Sequence, residues 1–156
     1  MTTARRARHA PLQDERVTTW GLLMETQSAV NAALARELDE QLALPLAWFE
    51  VLLRLARTPG ERMTMTRLAE AVSFSSGGFS RVADRLEAAG LLAREPCPDN
   101  RRSTWAVLTD QGRATVREAL EVHASGLQRH VFDHLGAAEA AQLARVLRTL
   151  RDAQLD

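Results

Sequence analysis

The chain has 156 residues, of which 46% are hydrophobic, and its 20 basic and 20 acidic side chains give a formal net charge of zero. This length suits one domain with a sizeable hydrophobic core. No apolar run approaches the roughly 20 residues that span a membrane. Arg5, Arg6 and Arg8 are not followed by the apolar stretch of a secretory signal. We therefore expect a cytoplasmic protein with no membrane partner.

The first predicted elements are a basic arm and a long helix. Residues 1–11 form the flexible arm, and apolar side chains recur at helical spacing over residues 12–42, without interruption after Gly21. These side chains are Val17, Trp20, Leu23, Met24, Val30, Leu34 and Leu38. A helix of this length carries more apolar surface than a small core can cover, so we expect a second chain to bury the remainder.

Two shorter helices are predicted next. Pro45 suits the first turn of a helix. The helix that follows it is apolar on nearly every face, so we place it at the centre of the core. Pro59 and Gly60 end this helix, and Thr64 or Thr66 caps a short third one.

The fourth predicted helix has the features of a DNA recognition helix. Ser75 and Ser76 are good N-cap residues, and Gly90 stands where a glycine commonly ends a helix. Gly77 and Gly78 in the first turn permit close approach of a DNA backbone. The face opposite the apolar one carries Ser80, Arg81, Asp84 and Arg85. Considered alone, an ordinary amphipathic helix explains this stretch equally well.

Two strand-like runs follow, Leu91–Glu95 and Thr104–Leu108, and Pro96 confines the connection between them to a turn or an edge. We place Arg101 and Arg102 at the tip of this hairpin, where exposed arginines reach phosphates or the minor groove. A solvated arginine pair is the more common occurrence, but this pair follows directly on a candidate recognition helix. The order helix, strand, turn, strand after a short helix predicts a winged helix-turn-helix.

The predicted interface is nearly neutral, although DNA binding draws affinity from neutralising phosphates. From Ser75 to Trp105 it contains five arginines and four acidic residues. They are Arg81, Arg85, Arg94, Arg101 and Arg102, and Asp84, Glu87, Glu95 and Asp99. A positive surface therefore requires that the fold sorts the arginines to one side.

Two more helices are predicted after the hairpin. Thr109 is a natural N-cap for the first, and Gly136 followed by Glu139 is typical of the start of the second. Their apolar positions are Val116, Leu120, Leu127 and Val131, and Leu143, Val146, Leu147 and Leu150. Neither helix has a wide partner face within one chain, so we assign both, with the first helix, to a dimerisation layer. Two recognition helices about one helical turn apart would read a palindromic operator.

The sequence lacks a nucleophile elbow, a phosphate-binding glycine loop and a paired-cysteine motif, so we predict no enzyme activity and no cofactor. His130 and His134 have the i, i+4 spacing of some metal ligands, but no third ligand stands at a fixed spacing from them. The single cysteine, Cys97, is expected to be an exposed thiol. A redox-sensing role for it is the less favoured alternative.

These elements together resemble the MarR family (multiple-antibiotic-resistance regulators) of bacterial transcription factors. The matching stretches are LPLAWFEVLLRLA at 44–56, LAEAV at 68–72, SRVADRLEAAGLL at 80–92 and NRRSTWAVLTDQG at 100–112. Asn100 stands where the family usually has an aspartate that braces the wing, and Asp99 precedes it. The resemblance covers the chain from about Leu12 to its end.

We interpret residues 1–156 as a single MarR-like domain, mainly α with a small β-hairpin wing. Residues 45–111 form the winged-helix part. Residues 12–42 and 112–155 supply the N- and C-terminal dimerisation helices. The predicted DNA-binding residues are Thr66, Ser75, Ser76, Gly77, Gly78, Ser80, Arg81, Arg85, Arg101 and Arg102.

The resemblance also implies a small-molecule pocket between the dimerisation layer and the winged part, commonly for aromatic or phenolic acids. Arg16 is the candidate partner of a carboxylate. The other candidate pocket residues are Trp20, Met24, Trp48, Leu52 and His123. As an alternative, the tryptophans are core residues and Arg16 is a solvated charge.

The predicted function is that of a ligand-responsive DNA-binding repressor, which acts as a homodimer on a palindromic operator and is released by a small effector. The alternative is a winged-helix module that docks proteins without sequence-specific DNA binding, since folds of this kind also serve as platforms. A steep loss of DNA affinity with salt would favour the regulator.

Overall fold

The structure is a computed structural model that describes residues 14–72, 76–98 and 100–154, with residues 76, 77 and 100–102 described as backbone only. The arm predicted over residues 1–11 lies outside this range. The described residues form six α-helices, three strands and two short 3₁₀ turns. The helices are α1 (Glu15–Leu42), α2 (Leu46–Ala56), α3 (Met65–Ala71), α4 (Ser76–Ala88), α5 (Asp110–His130) and α6 (Ala137–Asp152). The strands are β1 (Arg62–Thr64), β2 (Leu92–Cys97) and β3 (Asn100–Leu108).

The helix boundaries follow local capping. Thr64 accepts a hydrogen bond from the backbone N–H of Arg67 at 3.4 Å, which selects Thr64 rather than Thr66 as the cap of α3. Thr109 caps α5 as predicted, by accepting from the N–H of Gly112 at 2.9 Å. At the start of α6, the N–H of Gly136 donates to the Glu139 carboxylate at 2.8 Å.

The core lies around α2, as its apolar composition predicts. Four of its side chains are buried: Phe49, Val51, Leu52 and Leu55. The same cluster receives residues from α1, α3, α4, the sheet and the first half of α5, and these include Leu38, Leu68, Ala83, Leu86, Ala106 and Val116. The winged part therefore closes a hydrophobic core within one chain.

The sheet has three antiparallel strands in the order β1-β3-β2, where the sequence predicted only a hairpin. The additional strand, β1, has three residues and pairs Thr64 with Trp105. β2 runs through Pro96, which an edge strand tolerates because its outer N–H groups need no partner. The register shifts between Pro96 and Cys97. Cys97 is buried, with 8% of its surface exposed, so the expectation of an exposed thiol is wrong.

The end of α4 is fixed against the start of α5. Gly90 has the positive φ of 72° that favours glycine, and the N–H of Leu91 bonds back to the carbonyl of Leu86 at 3.0 Å. The hydroxyl of Thr109 donates to the Gly90 carbonyl at 2.7 Å. A Cβ at Gly112 would lie 2.0 Å from the Leu91 carbonyl oxygen, so only glycine fits there. These contacts position the wing relative to the recognition helix.

Candidate nucleic-acid interface

The two faces of α4 separate as the sequence predicts. Phe79, Ala83 and Leu86 are buried against the core, because they recur every three or four residues. Ser80 and Arg81 are exposed on the other side of the helix. Thr66 is exposed on α3, the preceding helix of the helix-turn-helix. The fold therefore presents these three predicted DNA-binding residues to solvent.

The start of α4 is only partly described. The helix begins at Ser76, and Gly77 and Gly78 occupy its first turn. Ser75 lies outside the described residues, so its predicted role as an N-cap and DNA contact stays a prediction. The same holds for side-chain contacts of Ser76.

The wing differs in detail from the predicted hairpin. Arg101 and Arg102 are the second and third residues of β3, beside the turn rather than at its tip. The strands pair as far as Cys97 and Asn100, so the connection between them is shorter than predicted. Contacts of the two arginine side chains with DNA stay a prediction.

A charge cluster that the sequence reasoning missed joins the wing to the recognition helix. Arg94 on β2 donates to Asp84 at 2.6 Å and also pairs with Glu87. Hydrogen bonding to Asp84, above all, raises the pKa of Arg94. Asp84 and Glu87 are two of the four acidic residues in the predicted interface. Their pairing with Arg94 offsets negative charge on α4 that would otherwise oppose a DNA phosphate.

Arg85, a predicted DNA contact, already has a partner within the chain. Its guanidinium lies over the Trp48 ring, 5.7 Å from the ring centroid. A cation in this position is attracted by the negative face of the indole. The contact joins α4 to α2, and thus connects a predicted DNA-binding residue to a predicted ligand-binding residue.

The six predicted ligand-binding residues differ widely in exposure, and their common pocket stays a prediction. Arg16 is solvated and pairs with its neighbour Asp14 at 2.6 Å, with its side chain 90% exposed. Trp20 is 62% exposed on α1, so it is not a core residue, and Met24 is exposed as well. Leu52, in contrast, is fully enclosed in the core. The exposed residues of α1 and the enclosed Leu52 therefore differ in their access to solvent within one protomer.

His123 lies at the edge of the core, where α5 packs on α2. Its ring contacts the Phe49 ring at a tilt of 41° with 4.7 Å between centroids, and its Nδ1 atom is buried without a hydrogen-bond partner among the described residues. Burial, and secondarily the charge of Arg57, lowers the pKa of His123. Trp48 is half-buried on the neighbouring face of α2.

Other described residues form two surface cavities. One of about 300 Å³ lies between α1 and α5, and is lined by Gln41, Glu121, Val122, Ser125 and Arg129. The other, of about 470 Å³, lies beside the sheet and includes Arg62, Arg67 and Trp105. Neither cavity is lined by a predicted ligand-binding residue.

His130 ends α5 and His134 lies in the 3₁₀ turn Phe132–His134, and the two do not join a third potential ligand among the described residues. The Nε2 atom of His130 lies 2.8 Å from the Glu37 carboxylate, and Arg129 donates to the same carboxylate at 2.7 Å. No group of three or more potential metal ligands occurs within residues 14–72, 76–98 and 100–154. In those ranges no helix combines the length and apolarity needed to cross a membrane.

The terminal helices expose a large apolar surface. α6 has no buried residue along its 16 positions. The exposed large hydrophobic residues of the described chain lie mainly on α1 and α6: Val17, Trp20, Leu22, Leu23, Met24, Leu143, Val146, Leu147 and Leu150. We call these nine residues the terminal apolar surface. The four residues of α6 recur at i, i+3, i+4 and i+7 and therefore share one helix face. Soluble proteins rarely leave such a face uncovered, so it marks an interaction site.

Comparison with known proteins connects this fold to DNA-binding regulators. The model of the MarR family matches residues 44–103, which span α2 to the start of β3. The HTH-type transcriptional regulator PecS of Dickeya dadantii is 28% identical over 130 residues, which are 81% of this chain and 78% of PecS.

Solved structures extend the similarity to the terminal helices. Sco3205, a MarR family regulator from Streptomyces coelicolor crystallised with DNA, has a TM-score of 0.79 and 28% identity, over 89% of this chain and 87% of its own. BpsR of Bordetella bronchiseptica, whose DNA binding is regulated by 6-hydroxynicotinic acid, has a TM-score of 0.73 and 26% identity, over 85% and 91% of the two chains. These relatives are regulators, in agreement with the prediction that the chain is not an enzyme. Residues 44–103 therefore match the MarR family of transcriptional regulators, and the fold of the chain is similar to that of solved MarR family regulators over nine-tenths of its length.

Proposed function

We propose that this regulator is a homodimeric repressor, which binds a palindromic operator through α4 and the wing and is released by a small aromatic acid. One observation carries the proposal. The exposed polar face of α4 and the terminal apolar surface lie on separate parts of one chain, so each is available to a different partner.

The occupant of the terminal apolar surface is a second copy of the chain. A two-fold dimer buries the same patch on both protomers, so a single self-complementary surface is enough. α1 and α6 lie outside the winged part, so pairing through them leaves both α4 helices uncovered. The similarity to regulators over α1 and α6 supports this arrangement.

A two-fold dimer presents two recognition helices, related by the same axis, to one duplex. Helices about one helical turn apart read two half-sites of a palindrome. Doubling the interface also doubles the number of phosphate contacts, which offsets the neutral net charge of the chain. The DNA complex of Sco3205 supports DNA as the partner.

The effector pocket forms where the dimerisation layer meets the winged part. Trp20 and Met24 face solvent in one protomer, so dimerisation is required to enclose them near Trp48 and His123. A ligand packed against Trp48 would contact the indole ring over which the Arg85 guanidinium of α4 lies. It therefore shifts the population of α4 orientations and lowers operator affinity. The regulation of BpsR by an aromatic acid supports this chemistry.

The decisive experiment combines sedimentation with DNA binding by fluorescence anisotropy. The DNA is the segment upstream of this protein's own gene, and a random duplex of equal length is the control. We expect a dimer at micromolar concentration and a steep fall of affinity between 50 and 200 mM salt, because phosphate contacts release counterions (roughly 10³-fold for six or more contacts). A monomer, or an affinity that does not change with salt, would favour the protein-docking alternative.

The effector is tested by adding 6-hydroxynicotinate to the DNA complex. Release at millimolar concentration or below, with the dimer retained, supports the proposal. If no aromatic acid binds in calorimetry at that concentration, the effector part is wrong and the DNA-binding part stands.

A further inference from the structure

We propose that the cavity beside the sheet is a second binding site, for a small organic carboxylate with a compact apolar body of about the size of benzoate. The cavity has a volume of about 470 Å³ and lies between the 3₁₀ turn after α2, β1, α3 and β3. Pockets that bind small molecules commonly have volumes of about 300–1,000 Å³. This site is separate from the effector pocket proposed above and shares no residue with it.

The sheet register brings the key residues together. Thr64 pairs with Trp105 and Arg62 pairs with Val107, so Arg62, Thr64 and Trp105 share one face of the sheet. The Arg62 guanidinium lies over the Trp105 ring, 5.2 Å from its centroid. Arg67, in the first turn of α3, lines the same cavity.

The strongest polar groups of the cavity are hydrogen-bond donors. Arg62 and Arg67 carry guanidinium groups, which donate and cannot accept. The Nε1–H of Trp105 is buried and has no hydrogen-bond partner in the described part of the chain, a rare state for a native protein. A carboxylate supplies the acceptor oxygens that the two guanidinium groups need.

Neither cavity arginine forms an ion pair with a carboxylate among the residues that the structure describes. In residues 14–72, 76–98 and 100–154, the arginines that pair with carboxylates are Arg16, Arg94, Arg113, Arg129 and Arg151. Arg62 and Arg67 therefore keep their positive charge for a ligand. Arginine also matches the planar geometry of a carboxylate through paired N–H groups.

The walls of the cavity distinguish an organic carboxylate from an inorganic anion. Pro59, Met63 and the Trp105 ring line it alongside the arginines. An apolar ligand body would cover these walls, whereas inorganic phosphate would leave them in contact with water. We therefore assign the site to a carboxylate attached to an apolar body.

Occupancy of the site acts on the wing. Trp105 lies on β3, the strand that begins beside the predicted DNA-contacting arginines Arg101 and Arg102. A ligand held by Trp105 restrains this strand and changes operator affinity. This consequence rests on the proposed DNA-binding function, whereas the binding site itself does not.

The site is tested by isothermal titration calorimetry on the full-length protein without DNA. The probes are benzoate, its neutral isostere benzamide, and inorganic phosphate. We expect benzoate to bind, and benzamide to bind at least tenfold more weakly because it lacks the charge. Arg62→Gln and Arg67→Gln should each weaken benzoate at least tenfold. Arg36→Gln removes an exposed arginine of α1 and is the matched control, with an unchanged isotherm expected.

Trp105 fluorescence separates this site from the effector pocket. In the Trp20→Phe/Trp48→Phe background, Trp105 is the only tryptophan. Benzoate should shift its emission, and Arg67→Gln should move the midpoint of that titration to higher concentration. Benzoate binding without any change in Trp105 emission would overturn the assignment of this cavity.

Two other outcomes would overturn the proposal. If benzamide binds as tightly as benzoate, the arginines do not recognise the charge. If only phosphate binds and depends on Arg62 and Arg67, the cavity is an inorganic-anion or DNA-phosphate site. These titrations contain no DNA. A protein that does not bind benzoate therefore leaves the DNA-binding proposal intact, and a protein that does not bind DNA leaves the carboxylate site intact.

Discussion

The winged part and the terminal helices bury their apolar residues in opposite ways. Phe49, Leu55 and Leu86 of the winged part are each at most 1% exposed. In α6, no residue is buried, and half the surface of Leu150 is exposed. The core of the winged part is complete within one chain, whereas the terminal helices leave large apolar side chains exposed there. Stability of the fold and assembly of the regulator are therefore separable properties.

The boundary between the two regions runs through α1 and α5 rather than between helices. α1 buries Ala33, Leu34 and Leu38 in its C-terminal half and exposes its N-terminal half. α5 approaches it at Gly126, where a Cβ would lie 2.6 Å from Leu34 and from the Glu37 carboxylate. In the proposed dimer, these continuous helices would transmit a change in dimer geometry to the winged part.

The largest effect is expected for Leu55→Ala in the winged core. The free energy of unfolding should fall by about 2–5 kcal/mol, because a fully enclosed leucine leaves a cavity. Urea denaturation at a protein concentration that keeps the dimer saturated measures it. Leu147→Ala, in the terminal apolar surface, is the control and should have much less effect on the core. Equal losses for both would contradict the separation of the two regions.

Leu147→Glu should break the dimer and leave the winged part folded. A charge buried without a partner in an interface costs several kcal/mol, so the dissociation constant should rise about a hundredfold or more. Sedimentation equilibrium measures the change. Gln142→Glu adds the same charge at an exposed polar position of α6 and is the matched control. A Leu147→Glu protein that stays dimeric would place the interface elsewhere.

Local signals predicted the helices well. The caps at Thr109 and at Gly136 with Glu139, and the glycine that ends α4, were predicted because each depends on a few neighbouring residues. β1 was missed because three residues are too few to show alternation, and it exists only through pairing with β3. The prediction of an exposed Cys97 failed because β2 continues beyond Pro96, which sequence alone did not indicate.

The candidate site was harder to predict because side chains from distant positions decide it. Arg94 reaches Asp84 and Glu87 across the turn after α4, and counting charges does not reveal that pairing. The position of Arg85 over Trp48 likewise depends on how α4 packs against α2. The predicted effector pocket mixes a core residue, Leu52, with exposed residues of α1. A single sequence predicts which side of a helix is apolar, but not which surfaces of two chains meet in a dimer.

Arg81→Ala tests the winged part as the DNA-reading region. If this exposed arginine of α4 reads a guanine, operator binding should weaken by about 1–3 kcal/mol, and binding to random DNA should change little. Anisotropy titrations on both duplexes at one salt concentration measure the difference. Arg36→Ala, on α1, is the control. Equal losses on the two duplexes would reduce Arg81 to a phosphate contact.

Arg101→Ala/Arg102→Ala tests the wing without touching the terminal apolar surface. Operator affinity should fall and the salt dependence should become shallower, because each lost phosphate contact lowers the slope by roughly one. Sedimentation should show an unchanged dimer. An unchanged affinity would mean that the wing does not contact DNA.

Arg94→Gln should weaken DNA binding to a smaller extent, roughly 1 kcal/mol, by releasing the charges of Asp84 and Glu87 on α4. The loss should be similar on operator and random DNA, because the effect is one of charge. Asp84→Asn/Glu87→Gln in the same background should restore affinity. Failure of that rescue would mean that Arg94 acts on the fold of the wing instead.

The smallest effect is expected at His123, where the two regions meet. Burial against Phe49, with the charge of Arg57, keeps its folded pKa below the ordinary value of about 6.5. At a pH between the folded and the unfolded pKa of His123, the unfolded chain binds more protons than the folded chain. The free energy of unfolding should therefore fall as the pH drops through 6.5. His123→Gln should flatten this part of the pH profile in urea titrations, whereas exposed His134→Gln should retain it. If both variants keep the wild-type dependence of unfolding free energy on pH, the pKa of His123 is the same in the folded and unfolded chains. Its ring would then be solvated in the folded chain.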